Sequence, residues 1–264
     1  MSTPPKAQTE MRRWVQEPLY WAKKVSGEGF DPWSGQVQLW EAYGQVLNAK
    51  LKRYQGATLT EAEQALAGKM GISVMAGQGL GKERTLALML LHYLFVLSVY
   101  QVKGVVTAPA GPTLFSTLWP EFEKVIRSSP VLAASFEKNA KRIYLTDDGA
   151  KGNFCRIEPR TIQANSSSDD QAVTLAGIHA LGVFYGVTEA SGVPEAVFKP
   201  LQGGLTDPLS LIVLIFNPTR RTGFAADSQA AHRRDWVCLQ WSGRTLKAEK
   251  QAEPGRFGWF NAEA

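Results

Sequence analysis

A glycine-rich loop with a lysine lies between a short apolar run and a long apolar segment. Its residues are Ala76, Gly77, Gln78, Gly79, Leu80, Gly81, Lys82 and Glu83. Backbone N–H groups of such a loop, with the positive end of the following helix, can hold a phosphate chain, and Lys82 would reach the terminal phosphates. The strict pattern is G-x-x-x-x-G-K-[ST], from which Ala76 and Glu83 depart. Taken alone, the loop is either a nucleotide site or a strand-to-helix turn with an exposed lysine.

Two later apolar runs also end in polar residues. Residues 183–187 are followed by Thr188 and Glu189, and residues 211–216 by Asn217-Pro218-Thr219. At a strand end beside a phosphate loop, a carboxylate such as Glu189 can orient and deprotonate an attacking water. Asn217 and Thr219 can sense the terminal phosphate from a similar position. The alternatives are that Glu189 caps the next helix and that Asn-Pro only starts a turn.

A glutamine lies upstream of the loop, in Trp33-Ser-Gly-Gln-Val-Gln-Leu-Trp. The amide of Gln36 donates and accepts hydrogen bonds at once, so it can read the edge of an adenine base. An ordinary surface glutamine is the alternative.

The composition is that of a folded protein of one or two domains. Of 264 residues, 44% are hydrophobic, which excludes a mostly disordered chain. The 29 basic residues exceed the 24 acidic ones, which suits a polyanionic partner without proving one. Cys155 and Cys238 are too few for a disulfide framework or a zinc knuckle. Since the N-terminus has no signal-peptide core and the apolar run 86–99 is shorter than the roughly 20 residues of a membrane span, we expect neither secretion nor membrane insertion.

Alternating helices and strands must position these side chains. Helices are predicted over residues 1–30, 36–53, 82–100 and 112–127, and Thr60 with Glu63 has the spacing of a capping box. Strands are predicted at 72–75, from 103 to before Pro109, at 142–145 and 154–157 around a turn at 147–149, and at 181–187 and 211–216. Residues 163–170 are predicted to be polar and flexible, and the last residues show no element that closes a domain. This alternation indicates a parallel sheet covered on both faces.

Together and in this order, the motifs resemble the ATPase domain of the large terminase subunit of tailed phages, over about residues 30–245. The stretch that carries the resemblance runs from Leu175-Ala-Gly-Ile-His-Ala through Glu189-Ala-Ser-Gly-Val-Pro-Glu to Phe216-Asn-Pro-Thr-Arg. Thr107-Ala-Pro, followed by Leu118-Trp-Pro-Glu, is similar to that family's helicase-like second motif.

The resemblance implies a role for each motif. Gln36 is similar to the adenine-reading glutamine, with Gln38 as the alternative. Gly77, Gly79, Gly81 and Lys82 match the phosphate loop, and Glu189 matches the catalytic carboxylate of the second Walker motif. Asn217, Pro218 and Thr219 resemble the coupling motif that links hydrolysis to movement. The family also uses an arginine finger from a neighbouring subunit, for which Arg160 and Arg127 are candidates without a clean match.

Two departures from the family pattern concern the Mg²⁺ site. The family has Ser or Thr where this chain has Glu83, and Asp-Glu where it has Thr188-Glu189. One hypothesis is an exchange, in which Glu83 supplies the charge and Thr188 the hydroxyl, so that the site still holds a hard cation. The competing interpretation is a weakened or inactive site, because a carboxylate about 4 Å from a phosphate costs about 4 kcal/mol at an effective dielectric near 20.

By resemblance we expect an α/β P-loop NTPase fold with a mostly parallel central sheet flanked by helices. Residues 1–60 would form an N-terminal helical segment with the adenine-contacting region, 61–245 the ATPase core, and 246–264 a tail towards an absent nuclease domain. No cluster of carboxylates follows Asn217, so nuclease activity is not predicted.

The expected activity is ATP hydrolysis with Mg²⁺, coupled to translocation of double-stranded DNA into a procapsid. A motor must tolerate every sequence, so DNA contact should run through basic side chains to phosphates; Arg220, Arg221, Arg233 and Arg234 are candidates, or simply a solvated charged face. The resemblance implies a portal protein, a small terminase subunit and a ring of five copies (a monomer in solution) in the host cytoplasm. The alternatives are another helicase-like, DNA-dependent ATPase and a non-hydrolysing assembly module of the same fold.

Overall fold

The computed structural model describes residues 5–26, 30–146, 154–162, 167–175, 177–200, 205–253 and 255–257. A sheet in the order β3-β4-β5-β2-β6-β7-β1-β8 forms the centre of this part of the chain. Its strands are β1 (Gly71–Ala76), β2 (Lys103–Thr107), β3 (Phe136–Lys138), β4 (Ile143–Leu145), β5 (Arg156–Pro159), β6 (Val183–Thr188), β7 (Leu211–Phe216) and β8 (Trp236–Trp241). The six neighbouring strands β5, β2, β6, β7, β1 and β8 pair in parallel. Strands β3 and β4 extend the sheet beyond β5 with antiparallel pairs. The predicted mostly parallel α/β fold is confirmed.

Both faces of the central strands are covered. All six residues of β7 are buried. Leu211, Val213 and Ile215 pack into one apolar core, while the alternate residues Ile212, Leu214 and Phe216 pack into a second core on the other face. Because side chains alternate between faces along a strand, a run that is apolar at every position requires a cover on each side.

Helices supply these covers. They are α1 (Pro5–Gln16), α2 (Pro18–Val25), α3 (Ser34–Tyr54), α4 (Glu61–Ala67), α5 (Lys82–Val96), α6 (Gly111–Ser116), α7 (Leu118–Arg127), α8 (Pro130–Ser135), α9 (Ser168–Val173), α10 (Phe224–Gln229) and α11 (Gly243–Ala252). The capping box of Thr60 and Glu63 at the start of α4 is confirmed. Among the described residues, no helix has both the length and the apolar character needed to span a membrane.

Several predicted boundaries were wrong. The single helix expected over residues 1–30 is two helices, because Pro18 starts α2 and its ring cannot continue the hydrogen bonds of α1. The helix expected over 112–127 breaks at Thr117, and the one expected to reach Tyr100 ends at Val96 before a 3₁₀ turn. Strands β3 and β8 and helices α8, α9 and α10 were missed, and α11 lies where a tail was expected. Helix α9 begins inside residues 163–170, which were predicted to be flexible. The predicted turn at 147–149 and residues 163–166 lie outside the described residues.

Helix α5 crosses the centre of the sheet at close range. Nearly all its side chains are buried, as the apolar run predicted. A Cβ on Gly104 or Gly186 would lie 2.9 or 3.0 Å from a methyl group of Leu90, so glycine on β2 and β6 permits this approach. The packing fixes the N-terminus of α5 above the carboxyl ends of the parallel strands.

The N-terminal helices are attached to α5 through a buried histidine. The ring nitrogens of His92 lie 2.9 Å from the backbone oxygen of Trp14 and 2.8 Å from the hydroxyl of Tyr43. A carbonyl oxygen only accepts, so Nε2 donates to Trp14 and Nδ1 accepts from Tyr43. Helices α1, α3 and α5 are thereby joined within one core.

Candidate nucleotide-binding site

The three sequence motifs follow three neighbouring strands and therefore lie at one edge of the sheet. The order β6-β7-β1 places β7 between the strand that leads into the loop and the strand that ends at Thr188. All three run in parallel, so their carboxyl ends lie side by side. The loop, Glu189 and Asn217 therefore meet at the position where open α/β sheets bind ligands.

The loop turns back on itself before α5 begins. Gly79 and Gly81 have φ values of 69° and 72°, in the left-handed region that glycine adopts without steric cost. Leu80 between them is buried, and its carbonyl oxygen accepts a hydrogen bond of 3.3 Å from the indole of Trp33. The buried Leu80 therefore anchors the loop to the protein, while Gly77, Gln78 and Gly79 are exposed.

Lys82 connects the other two motifs. Its side chain is only 4% exposed, and its Nζ donates to Oδ1 of Asn217 at 2.9 Å and lies 3.6 Å from Oε1 of Glu189. The alternative of a turn with an exposed lysine was wrong, because the Lys82 side chain is buried. A buried ammonium needs polar partners such as these. The three side chains form one polar cluster.

Glu189 has a strained backbone. Its φ and ψ are 49° and 39°, in the left-handed region that non-glycine residues seldom adopt. Its side chain is 35% exposed and faces the cavity described below. Strain of this kind persists where the surrounding structure enforces it and occurs most often at functional sites.

The residues after β7 divide into two groups. Asn217 contacts Lys82, and its backbone oxygen accepts from Oγ of Ser191 at 2.6 Å. Pro218 and Thr219 are exposed, and the N–H of Thr219 donates to the oxygen of Asn217 in a tight turn. Only Asn217 of the expected coupling motif is thus brought to Lys82 in this arrangement.

The two residues that depart from the family pattern are neighbours. Oγ1 of Thr188 donates to Oε1 of Glu83 at 3.4 Å, across 105 residues of sequence. A carboxylate and a hydroxyl therefore stand together beside Lys82. These are hard oxygen ligands of the kind that Mg²⁺ takes, with further positions left to phosphates and water. Among the described residues there is no group of three or more His, Cys, Asp or Glu side chains able to hold a metal by themselves.

Gln36 lies at the site but its amide is used within the protein. Its Nε2 donates to Oγ1 of Thr85 at 2.8 Å and to the oxygen of Gly81 at 3.4 Å, and its Oε1 accepts from the backbone N–H of Trp33 at 3.3 Å. The side chain is buried and secures α3 to the loop. Gln38, the alternative adenine reader, is exposed and is not among the residues that line the cavity.

A cavity of about 670 Å³ opens over the loop. This volume lies within the range of about 300–1,000 Å³ typical of small-ligand sites. The lining residues are Phe30, Asp31, Gln36, Gln78, Gly79, Gly81, Lys82, Glu83, Arg84, Ser116, Thr117, Glu121, Lys124 and Glu189. Sequence reasoning missed the walls contributed by Phe30, Asp31 and the segment 116–124, which have no local motif. It also missed Arg84, for which the position two residues after Lys82 was an available signal.

The C-terminal part of the chain contacts the segment around Asp31, which lines the cavity. Arg256 donates to both carboxylate oxygens of Asp31 at 2.7 Å, and this hydrogen bonding lowers the pKa of Asp31 below its ordinary value. Ser34 at the start of α3 binds the carboxylate of Glu249 on α11. The segment that begins α3 is therefore fastened to the last described helix.

Neither expected arginine finger lies at this cavity. Arg160 follows β5 and pairs with Glu158 at 3.0 Å, and the exposed Arg127 on α7 pairs with Glu123 at 2.6 Å. An arginine that acts on a neighbouring subunit is not expected to line its own cavity, so both remain predictions. Of the stretch 175–180, which carries part of the resemblance, Ala176 lies outside the described residues.

Comparisons with known proteins agree with the motifs. No family model matches the chain. The probable terminase large subunit of Enterobacteria phage P7 is 28% identical over 193 residues, which cover 72% of this chain and 37% of that protein. The large terminase of bacteriophage HK97 superposes with a TM-score of 0.58 at 13% identity, over 94% of this chain and 49% of that one. The ATPase domain of the Thermus phage P74-26 large terminase gives a TM-score of 0.44 at 14% identity, over 77% of this chain and 92% of that one.

The resemblance predicted from the motifs is thereby confirmed. The chain spans about a third of the length of the phage P7 protein and about half of the HK97 protein. In sequence over 193 residues, and in fold over 94% of its length, the chain is similar to the large terminase subunits of tailed phages.

Proposed function

We propose that the chain is the ATPase motor domain of a viral large terminase, which couples ATP hydrolysis to translocation of double-stranded DNA into a procapsid. The observation that carries this proposal is the contact of Lys82 with both Asn217 and Glu189, at three adjacent strand ends below a cavity of about 670 Å³. A lysine, a carboxylate and a polar sensor in this arrangement have the positions that phosphoryl transfer to water requires.

Each part of the site has a task in this reaction. The amides of residues 77–82 and the N-terminus of α5 bind the phosphate chain, and Lys82 binds its terminal oxygens. Glu189 orients the attacking water and accepts its proton. Asn217 transmits the phosphate state, because a phosphate oxygen competes with Asn217 for the Nζ of Lys82.

Glu83 and Thr188 would hold the Mg²⁺ of the nucleotide. Their 3.4 Å contact supports the exchange hypothesis over the inactive site, since the carboxylate and hydroxyl have traded sequence positions but share one location. The ion supplies charge neutralisation to the phosphate oxygens when bound. It would also offset the repulsion between Glu83 and the nucleotide.

The partners follow from the same proposal. They are double-stranded DNA, a portal protein, a small terminase subunit and further copies of this chain in a ring of five, in the host cytoplasm. In that ring Arg160 would act as the arginine finger towards the neighbouring nucleotide. Arg220, Arg221, Arg233 and Arg234, which are exposed, are candidates for contact with DNA phosphates.

The decisive experiment measures ATP turnover with Mg²⁺, with and without double-stranded DNA. Lys82→Ala and Glu189→Gln should each abolish turnover, the second while keeping nucleotide binding, because the amide cannot accept the proton. Stimulation of ATP turnover by double-stranded DNA would connect hydrolysis to DNA translocation. Turnover that survives both substitutions would exclude this site as its source.

A non-hydrolysing assembly module is the second candidate function, favoured by the non-standard Glu83. A titration of nucleotide with and without Mg²⁺, at protein concentrations that allow subunits to meet, separates the two. A module of this kind would lack Mg²⁺-dependent binding and turnover together.

A further inference from the structure

The charged side chains around the cavity are almost all matched. Asp31 pairs with Arg256, Lys124 with Glu121 at 2.5 Å, and Lys82 with Glu189. Glu83 accepts from Thr188. The side chain of Arg84 differs from them, since no hydrogen bond or ion pair joins its guanidinium to any of the residues that the structure describes.

Part of the Arg84 guanidinium is buried in this unpaired state. Its Nε is inaccessible to solvent and has no hydrogen-bond partner, although the side chain as a whole lines the cavity and is partly exposed. Buried donors are satisfied in the great majority of cases, and a cationic donor is the costliest to leave unmatched. An anionic ligand in the cavity would meet the exposed part of this unpaired cation.

The position of Arg84 indicates which anion. It is the third residue of α5, two residues after Lys82, and lines the cavity together with Gly79, Gly81 and Lys82. The planar guanidinium carries five donors in a fork that matches a pair of phosphate oxygens. Glu83, its neighbour in sequence, adds a negative charge where phosphate loops ordinarily have a neutral hydroxyl residue.

We propose that Arg84 is a phosphate-binding residue of the nucleotide site, which binds the phosphate chain of a nucleoside di- or triphosphate and offsets the charge of Glu83. This inference rests on the nucleotide site of the proposed function. It assigns to the same subunit a cation that contacts phosphate, distinct from any arginine finger of a neighbour.

The test is equilibrium binding of ADP and of adenosine to the purified chain. Arg84→Gln keeps a side chain of similar shape and removes the charge, so the Kd for ADP should rise about 10- to 100-fold. Adenosine has no phosphate, and its binding should be unchanged. Arg84→Lys should recover part of the affinity, and Arg53→Gln, at an exposed helix end, is the control.

The charge-offset part is tested by a double-mutant cycle. Removing Glu83 by Glu83→Gln should reduce the penalty of Arg84→Gln on ADP binding. An unchanged ADP affinity in Arg84→Gln, or an equal loss for ADP and adenosine, would overturn the role of Arg84 while leaving the nucleotide site intact. Absence of ADP binding by the unsubstituted chain would instead refute the proposed function itself.

Discussion

Lys82 and Asn217 share a hydrogen bond of 2.9 Å, although 135 residues separate them in sequence. The same ammonium lies 3.6 Å from Glu189. Ser191, two residues after Glu189, donates to the backbone oxygen of Asn217. Lys82 therefore links the ends of β6 and β7. In the proposed function, phosphate bound by Lys82 would act directly on the segment that follows β7.

Asn217→Asp should weaken nucleotide binding. A second carboxylate beside Lys82 holds the ammonium in place and repels the phosphate oxygens, so the KM for ATP should rise about tenfold or more. Asn217→Ala removes the acceptor of Lys82 without adding a charge, so the KM for ATP should be nearly unchanged. Stimulation of ATP turnover by DNA should be lost in this variant. Steady-state turnover measures both, with Asn139→Asp on an exposed turn as the control. Equal KM values for Asn217→Asp and the unsubstituted chain would contradict the route through Lys82.

The hypothesis that Glu83 and Thr188 have exchanged metal-ligand roles predicts reciprocal compensation. Glu83→Thr leaves two hydroxyls and Thr188→Asp leaves two carboxylates, so each alone should lower Mg²⁺-dependent turnover about tenfold or more. The double variant restores one ligand of each type and should recover most of the loss. Turnover measured across Mg²⁺ concentrations provides the readout. If each single change raised activity independently, the exchange hypothesis would fail.

The sequence predicted those features that have a local cause. The runs at 181–187 and 211–216 are near-continuous apolar runs, as expected of strands covered on both faces, so their ends predicted where Glu189 and Asn217 lie. The glycines of the loop likewise reflect backbone angles that other residues avoid. The start of a new helix at Pro18 could also have been predicted, since proline is favoured at the first position of a helix.

Other features depend on partners far away in sequence. Gln36 bonds Gly81 and Thr85, which are 45 and 49 residues distant, so nothing near Gln36 revealed that its amide was occupied. The role proposed for Arg84 depends on a buried side-chain nitrogen that has no hydrogen-bond partner among the described residues, which no local sequence pattern reveals. Strand β8 was missed although residues 236–239 are apolar, and its central residues are only partly buried at the edge of the sheet.

Gln36→Ala should destabilise the protein. It removes three hydrogen bonds and leaves the N–H of Trp33 and the hydroxyl of Thr85 with fewer partners, so the free energy of unfolding should fall by about 2–3 kcal/mol. Urea unfolding measures this, with the exposed Gln38→Ala as the control. Full stability combined with a lost preference for ATP over GTP would instead support adenine reading by Gln36.

Stability should fall in mild acid because of His92. Burial lowers its pKa from 6.5 to about 4, so between these values the unfolded chain binds a proton that the folded protein refuses. Stability is therefore complete above about pH 6.5 and declines as the pH falls towards 4, by about 1.4 kcal/mol per pH unit and about 3 kcal/mol in total.

Urea unfolding from pH 7 to pH 4.5 tests this dependence. His92→Gln cannot titrate and should flatten the profile, although losing contacts with Trp14 and Tyr43 lowers its stability at pH 7. His232 is exposed and makes only a 3.9 Å contact with Asp235, so His232→Gln should retain the acid sensitivity. A slope that persists in His92→Gln would assign the acid response to other groups. A slope lost only in that variant would show that the junction of α1, α3 and α5 is where acid first destabilises the fold.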